Sequence, residues 1–185
     1  MLDWGGVMYV TNCEFYDCDR SAIYSIYHNS SKLVAMHNYI HDIGNARMNS
    51  YGIIAASEHY IAYNRVVDYG YGGIRSGIWS QANPSTSHPT GVYYECFGII
   101  EHNEVYQTQD YFDNKARHFV VMDAGAIYSG IHHICSVIRH NIIYNYTGRG
   151  HNRGIYLDGG CHHIYVYSNI IANTPNSWSI NAYFA

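Results

Sequence analysis

Ile138-Arg-His-Asn141-Ile-Ile143-Tyr-Asn145 is one of six copies of a single phrase, apolar-x-x-Asn-x-apolar-x-(Asp/Asn), and the spacing of the copies decides the fold. The others are Val10-Thr-Asn-Cys13-Glu-Phe15-Tyr-Asp17, Ala35-Met-His-Asn38-Tyr-Ile40-His-Asp42, Ile61-Ala-Tyr-Asn64-Arg-Val66-Val-Asp68, Ile100-Glu-His-Asn103-Glu-Val105-Tyr-Gln107 and Val166-Tyr-Ser-Asn169-Ile-Ile171-Ala-Asn173. From Cys13 through Asn38, Asn64, Asn103 and Asn141 to Asn169 the steps are 25, 26, 39, 38 and 28 residues. A period near 25 with two longer turns is that of a solenoid.

A second column follows the phrase: Ala22-Ile23, Gly52-Ile53, Gly73-Ile74, Ala126-Ile127, Gly154-Ile155 and Ser179-Ile180. Each repeat therefore reads as two short apolar strands separated by a polar corner, too short to bury itself alone. Stacking the repeats buries both strands. The expected fold is all-β, a right-handed parallel β-helix of about six rungs, each rising ~4.8 Å. No segment carries a sustained 3.6-residue apolar period, so almost no helix is expected.

The corner residues carry their own reading. Asn tolerates left-handed backbone angles, and its amide can bond the Asn one rung away, so Asn38, Asn64, Asn103, Asn141 and Asn169 read as a structural ladder. Cys13 takes that place in the first copy. Asp17, Asp42, Asp68, Gln107, Asn145 and Asn173 form a second corner column, read as turn residues in preference to a calcium site.

Composition agrees. The chain has 185 residues, 48% of them hydrophobic and only 13% charged, with 21 Tyr, 17 Gly and 13 His. That suits one domain, 1–185, and disfavours both disorder and a helical bundle. A formal charge of -4 supplies no basic stripe, so no nucleic-acid partner is expected. No apolar run reaches 18 residues, so no membrane span is expected. Cys13, Cys18, Cys96, Cys135 and Cys161 lack C-x-x-C spacing and read as buried thiols. The first residues lack a signal-peptide pattern and read like the middle of a repeat, so a fragment of a longer β-helix is expected. The two long repeats carry loop insertions at about 79–94 and 107–122, the usual place for binding residues on a rigid scaffold.

The candidate site lies in Asp123-Ala-Gly-Ala-Ile127-Tyr128-Ser-Gly130 and Arg153-Gly-Ile155-Tyr156-Leu-Asp158-Gly-Gly160, two near-copies flanking Val137 to Asn145. If Ile127 and Ile155 are equivalent, Tyr128 falls beside Tyr156 and Gly130 leaves space beside Asp158. The residues after each Ile, namely Tyr24, Ile54, Arg75, Tyr128 and Tyr156, should point outward. Such a face stacks sugar rings and bonds their hydroxyls. Asp158 shares that parity, and a carboxylate among aromatics can serve as an acid. His151 joins Arg75, Tyr128 and Tyr156 as a candidate substrate-binding residue. His132-His133 and His162-His163 read as turn residues, since neighbours on a strand face opposite ways and a doublet offers only one ligand to a site. No metal ligand is assigned. Gly-x-Ser-x-Gly, phosphate-loop and His-Glu-x-x-His motifs are absent, which removes serine hydrolase, nucleotide and zinc-protease readings.

Met-Asp-Ala-Gly-Ala-Ile-Tyr-Ser-Gly (122 to 130), Val-Ile-Arg-His-Asn-Ile-Ile-Tyr-Asn (137 to 145) and Gly-Ile-Tyr-Leu-Asp-Gly-Gly (154 to 160) resemble bacterial pectate-lyase-like β-helix proteins. Among these the chain is most similar to the glycoside hydrolases that include α-L-fucosidase and xylanase activities. The specific match covers the C-terminal part, and earlier residues share only the rung pattern. The resemblance implies a secreted or periplasmic enzyme acting on a polysaccharide or oligosaccharide, with Asp123 and Asp158 as acid and base and no cofactor. The family often has Asp-Asp where this chain has Asp158-Gly159, and its members are much longer.

On one straight strand Asp123 and Asp158 would lie up to roughly 20 Å apart. An inverting pair needs about 6.5 to 9.5 Å and a retaining one about 5 to 5.5 Å, so the pair requires a bend in the backbone. Without it Asp158 would pair with Glu95, Asp110 or Asp113. Two other functions share the fold: a polysaccharide lyase, using Lys115 and Arg117 and Ca²⁺ to neutralise a uronate, and a non-catalytic carbohydrate-binding or adhesin rod.

Overall fold

The structure, a computed structural model, describes residues 6–25, 32–44, 50–56, 58–77, 97–113, 124–130, 136–146, 152–159, 161, 163–175 and 177–183. Six rungs follow one another. The first holds β1 (Val7–Thr11), β2 (Glu14–Tyr16) and β3 (Ile23–Ser25); the second β4 (Lys32–Met36), β5 (Tyr39–Ile43) and β6 (Tyr51–Ala55); the third β7 (Glu58–Ala62), β8 (Arg65–Tyr69) and β9 (Gly72–Ser76). The fourth holds β10 (Gly98–Glu101), β11 (Glu104–Tyr106), a short helix α1 (Gln109–Asp113) and β12 (Ala124–Ser129). The fifth holds β13 (Val137–Arg139), β14 (Ile142–Tyr144) and β15 (Asn152–Leu157), and the sixth β16 (Tyr165–Tyr167), β17 (Ile170–Ala172) and β18 (Ser177–Ala182).

Each rung contributes one strand to each of three parallel six-stranded sheets. Sheet A is β1-β4-β7-β10-β13-β16, sheet B is β2-β5-β8-β11-β14-β17, and sheet C is β3-β6-β9-β12-β15-β18. The chain is a right-handed parallel β-helix, the hand that parallel crossovers take. Three apolar columns fill its interior in unbroken register. They are Val10-Ala35-Ile61-Ile100-Ile138-Val166 in sheet A, Phe15-Ile40-Val66-Val105-Ile143-Ile171 in sheet B and Ile23-Ile53-Ile74-Ile127-Ile155-Ile180 in sheet C. In the inner rungs these side chains are fully buried, and a fully buried Ile or Val stabilises by about 2 kcal/mol.

Two expectations change. The repeat holds three strands instead of two, because the phrase itself bends: Asn12, His37, Tyr63, His102, His140 and Ser168 take φ of 54° to 57°, breaking what reads as one strand into a sheet A and a sheet B segment. The left-handed residue is thus the one before the Asn, and none of the five ladder Asn residues has a positive φ. The Asn side chain acts instead as a rung-to-rung staple. Asn64 Oδ1 accepts from the backbone N–H and Nδ2 of Asn38 at 3.0 and 2.9 Å, and Asn103, Asn141 and Asn169 repeat the pattern at 2.9 to 3.0 Å. The left-handed argument does hold at the second corner, where Asp17, Asp42, Asp68, Asn145 and Asn173 lie at φ 48° to 53°. Gln107 departs there. It is buried, donates to Tyr69 O, and is followed by Thr108, which bonds the Asp68 carboxylate twice before α1 begins.

The thiols are not uniformly buried: Cys161 is, Cys18 is half-buried and Cys13 is exposed at the first rung. Cys96, Cys135, the 79–94 insertion, residues 114–122 and His132, His133 and His162 lie outside the described residues. His163 sits exposed at φ 56° before β16, in keeping with a turn. No helix among the described residues is long and apolar enough to cross a membrane.

On the outer face of sheet A, Glu101 is buried between Tyr60, which donates at 2.7 Å, and Arg139, which donates at 2.6 Å. Burial pushes the Glu101 carboxyl up, but the bonds from Tyr60 and Arg139 outweigh it and hold the group below its ordinary value of 4.5. Tyr60 is correspondingly pushed up to about 12 by its bond to Glu101.

Asn141 is fully buried, its Oδ1 serves Asn103, and its amide reaches Ile100 O and Arg139 O at 3.0 Å. Asn141→Ala removes the side-chain acceptor of the Asn103 backbone N–H and one partner each of Asn103 Nδ2, Ile100 O and Arg139 O, and is expected to cost about 3 kcal/mol, read as a lower midpoint in urea with m unchanged. A midpoint within error of the unsubstituted chain would show that the ladder contributes no stability. A folded pKa below the unfolded one means that ionised Glu101 stabilises above about pH 4.5 and ceases to do so as pH falls through the folded value. Glu101→Gln is therefore expected to lower the melting temperature at pH 7 and to flatten its fall between pH 5 and pH 3, about one unit either side of the ordinary carboxylate range; equal slopes for both proteins would refute the assignment.

Candidate functional site

The strand-to-strand register of sheet C aligns Tyr24, Ile54, Arg75, Tyr128, Tyr156 and Asn181 in one column on the side away from the Ile core. The column is as expected, but its exposure is not. Tyr24 is 57% exposed, whereas Arg75 is 8%, Tyr128 5% and Tyr156 3% exposed. A second apolar layer forms outside sheet C from Tyr51, Ile54, Tyr71, Ala124, Tyr128 and Tyr156. Its rings meet edge to face or tilted, Tyr51 with Tyr71 at 5.3 Å, Tyr51 with Tyr128 at 6.0 Å and Tyr128 with Tyr156 at 5.3 Å. Such pairs add about 1 kcal/mol each to area burial.

Tyr51 reaches this layer because strand alternation fails at the small residue before each Ile. A Cβ on Gly52, Gly73 or Gly154 would strike the core side chains Val66, Val105 or Ile171 at 2.3 to 2.7 Å, so this position faces inward, as does the Ile after it. Residues two before the Ile then fall on the outer side. They are Tyr51, Gly72, Gly125 and Arg153, aligned by register. Gly72 lets the Tyr51 ring lie against the strand, since a Cβ there would be 2.3 Å from Tyr51 Cε1. Arg153 lies over Tyr156 with its guanidinium carbon 3.8 Å from the ring centroid, and also faces Trp178 at 5.3 Å. Arg75 sits over Tyr51 and Tyr128 at 5.8 and 5.4 Å. Tyr51, Tyr71 and Arg153 were not singled out from sequence: strict alternation assigns Tyr51 and Arg153, two before the Ile, to the core, and Tyr71 precedes β9.

Asp158 follows β15 at the rim of this layer and is half-buried. Its backbone N–H continues the ladder to Ser129 O at 3.0 Å, and Cys161 N donates back to Asp158 O at 3.3 Å, closing a turn. Three donors converge on the carboxylate. Tyr128 Oη donates to Oδ2 at 2.5 Å, Tyr156 Oη to Oδ1 at 2.9 Å and Gly159 N to Oδ1 at 2.7 Å. Burial first, and then the bond to Asp158, raises the Tyr128 phenol far above its ordinary range, so it remains a proton donor. Gly130 does not leave the open space expected beside Asp158. The ring of Tyr128 fills it, with Cε1 2.9 Å from where a Gly130 Cβ would stand, and this lets the phenol reach the carboxylate.

Of the sequence candidates, Asp158, Tyr128, Tyr156 and Arg75 share one face. Asp123, His151, Glu95, Lys115 and Arg117 lie outside the described residues, as does the side chain of Asp113, while Asp110 is exposed on α1. β12 begins at Ala124, and its ends are about 17 Å apart at ~3.3 Å per residue. Among the described residues no group of three or more His, Cys, Asp or Glu is placed to hold a metal ion.

If the Tyr128–Asp158 bond holds the site together, Tyr128→Phe and Asp158→Ala, each of which removes it, are coupled. A double-mutant cycle in urea is expected to give a coupling free energy of about 1 to 2 kcal/mol. Additive effects would mean that the contact carries no energy.

No family model, curated protein or solved structure matches the chain. Of the resemblance described above, the all-β parallel β-helix with three stacked sheets is what the structure shows.

Proposed function

We propose that the chain is a carbohydrate-active β-helix, a glycoside hydrolase in which Asp158 is one of the two reacting carboxylates. The observation that carries this reading is the convergence of Tyr128, Tyr156 and Gly159 on a half-buried Asp158 at the rim of an aromatic face. A carboxylate fixed by three donors is preorganised. It loses no side-chain freedom when a sugar arrives, and its direction is set by groups that are themselves buried. One lone pair of Oδ2 remains to accept a proton from water or to face an anomeric carbon, and Tyr128 and Tyr156 hold the group in that orientation. A saccharide meets Asp158 from the rim, where the carboxylate is half-buried, since the rings of Tyr128 and Tyr156 are packed within the second layer.

The second carboxylate in this reading is Asp123, following the resemblance. Sheet C places the ends of β12 far apart, so Asp123 can meet Asp158 only if the chain before Ala124 turns back along the sheet. With a separation near 5 Å the pair would act with retention, and nearer 8 Å with inversion.

Asp158→Asn keeps the shape and most hydrogen bonds but cannot take up or release a proton. It is expected to lower kcat by at least about 100-fold on any polysaccharide the unsubstituted chain cleaves, with the melting temperature and sugar affinity retained. Reducing ends released from a polysaccharide panel measure this, and absorbance of unsaturated products separates a lyase. Turnover preserved in Asp158→Asn removes Asp158 from the chemistry. Sugar binding with no turnover in the unsubstituted chain would make it a carbohydrate-binding rod.

A further inference from the structure

We propose that Arg75 is the recognition point for an anionic substituent, a carboxylate or sulfate ester, on the saccharide that this face binds. The proposal rests on reading the outer side of sheet C as the ligand face, and it adds the chemical class of the ligand.

Arg75 is 8% exposed and belongs to the column that runs to Tyr128 and Tyr156. A guanidinium has five N–H donors lying in its plane. Among the described residues its contacts are the rings of Tyr51 and Tyr128, at 5.8 and 5.4 Å. Nε is buried without a hydrogen-bond partner. Among the described residues no ion pair includes Arg75, unlike Arg65 and Arg139, which each have a glutamate. Asp158 does not answer its charge either, since its carboxylate is taken by Tyr128, Tyr156 and Gly159.

Magnitudes decide that this is an incomplete site. Two cation–π contacts offset only part of the cost of burying most of a guanidinium, and a buried donor left unbonded adds to that cost. A planar carboxylate or a sulfate accepts two parallel N–H bonds from a guanidinium. Tyr51 and Tyr128 then act as the walls that hold the guanidinium at a fixed tilt. Arg75 lies two rungs from Tyr156, about 10 Å along the rod, and Asp158 is two residues further along its strand. That separation exceeds one pyranose ring, so the anionic group belongs to a neighbouring sugar of the chain rather than to the one at Asp158.

The test compares affinities of glucose, glucuronate and glucose 6-sulfate by isothermal titration calorimetry at matched ionic strength. At least one charged sugar is expected to bind tenfold or more tightly than glucose, and which one does so identifies the substituent. In Arg75→Gln that preference is expected to vanish while Asp158→Asn retains it, so the result does not depend on turnover. Equal affinity for all three sugars, or a preference that survives in Arg75→Gln, overturns the proposal. Should Arg75→Gln not fold, the Nε–H resonance of Arg75 in the unsubstituted chain decides. It is expected to shift on adding the preferred sugar and not on adding glucose, and an unmoved resonance likewise overturns the assignment.

Discussion

Parallel, in-register stacking is the constraint on which everything else in this chain depends. When each rung hydrogen-bonds to the next at ~4.8 Å, every side chain stands directly over its equivalent, and like must tolerate like. Apolar, amide and aromatic groups do so: Ile stacks on Ile, Asn bonds Asn, and His37, Tyr63, His102 and His140 form a ring stack with centroids 5.0 to 5.1 Å apart. Charges do not. Among the described residues three pairs of oppositely charged residues occupy registered positions on adjacent rungs, Lys32 with Glu58, Arg65 with Glu104 and Glu101 with Arg139. Each makes an ion pair, at 2.6, 3.3 and 2.6 Å. The low charged content of the chain has its physical reason there.

The interior columns and the Asn ladder divide the work of stabilising and specifying that stack. Burying an Ile contributes about 2 kcal/mol, against about 1 kcal/mol net for a hydrogen bond, so the columns supply most of the driving force. Hydrophobic burial is non-directional, however, and a strand of isoleucines slides easily past another. An amide that must meet both the backbone and the side chain of the next rung does not slide, because any slip leaves buried donors unpaired. The long repeats enter without disturbing this frame: 39 residues separate Asn64 from Asn103, and the two still bond at 3.0 Å.

The same stacking assembles the candidate site. Tyr128 and Tyr156 meet because they are equivalent, and Asp158 joins them because the parity of β15 carries it to the same side two residues later. Burial then turns a row of tyrosines into a fixed clamp, since the layer of Tyr51 and Tyr71 leaves Tyr128 little freedom to leave its carboxylate. Arg75, held between two of those rings with its Nε unbonded, is a place where that layer is electrostatically incomplete among the described residues.

The solenoid, its six rungs, the identity of all three core columns and the column joining Arg75, Tyr128 and Tyr156 are legible in the residues alone. Rung-to-rung equivalence writes itself into the chain as a period, and a period can be counted. The folded chain alone reveals how many strands each rung holds, because the bend is made by a left-handed backbone at residues as unlike as Asn12, Tyr63 and His140, with no shared side-chain signature. It also decided that the Tyr face is covered. Gly52, Gly73 and Gly154 turn inward beside the following Ile only because sheet B packs against them, and that broken alternation sends Tyr51 and Arg153 outward. The three bonds on Asp158 belong to the same class of fact: a repeat reports which residues stack, whereas where a side chain ends depends on what arrives from the other sheets to meet it.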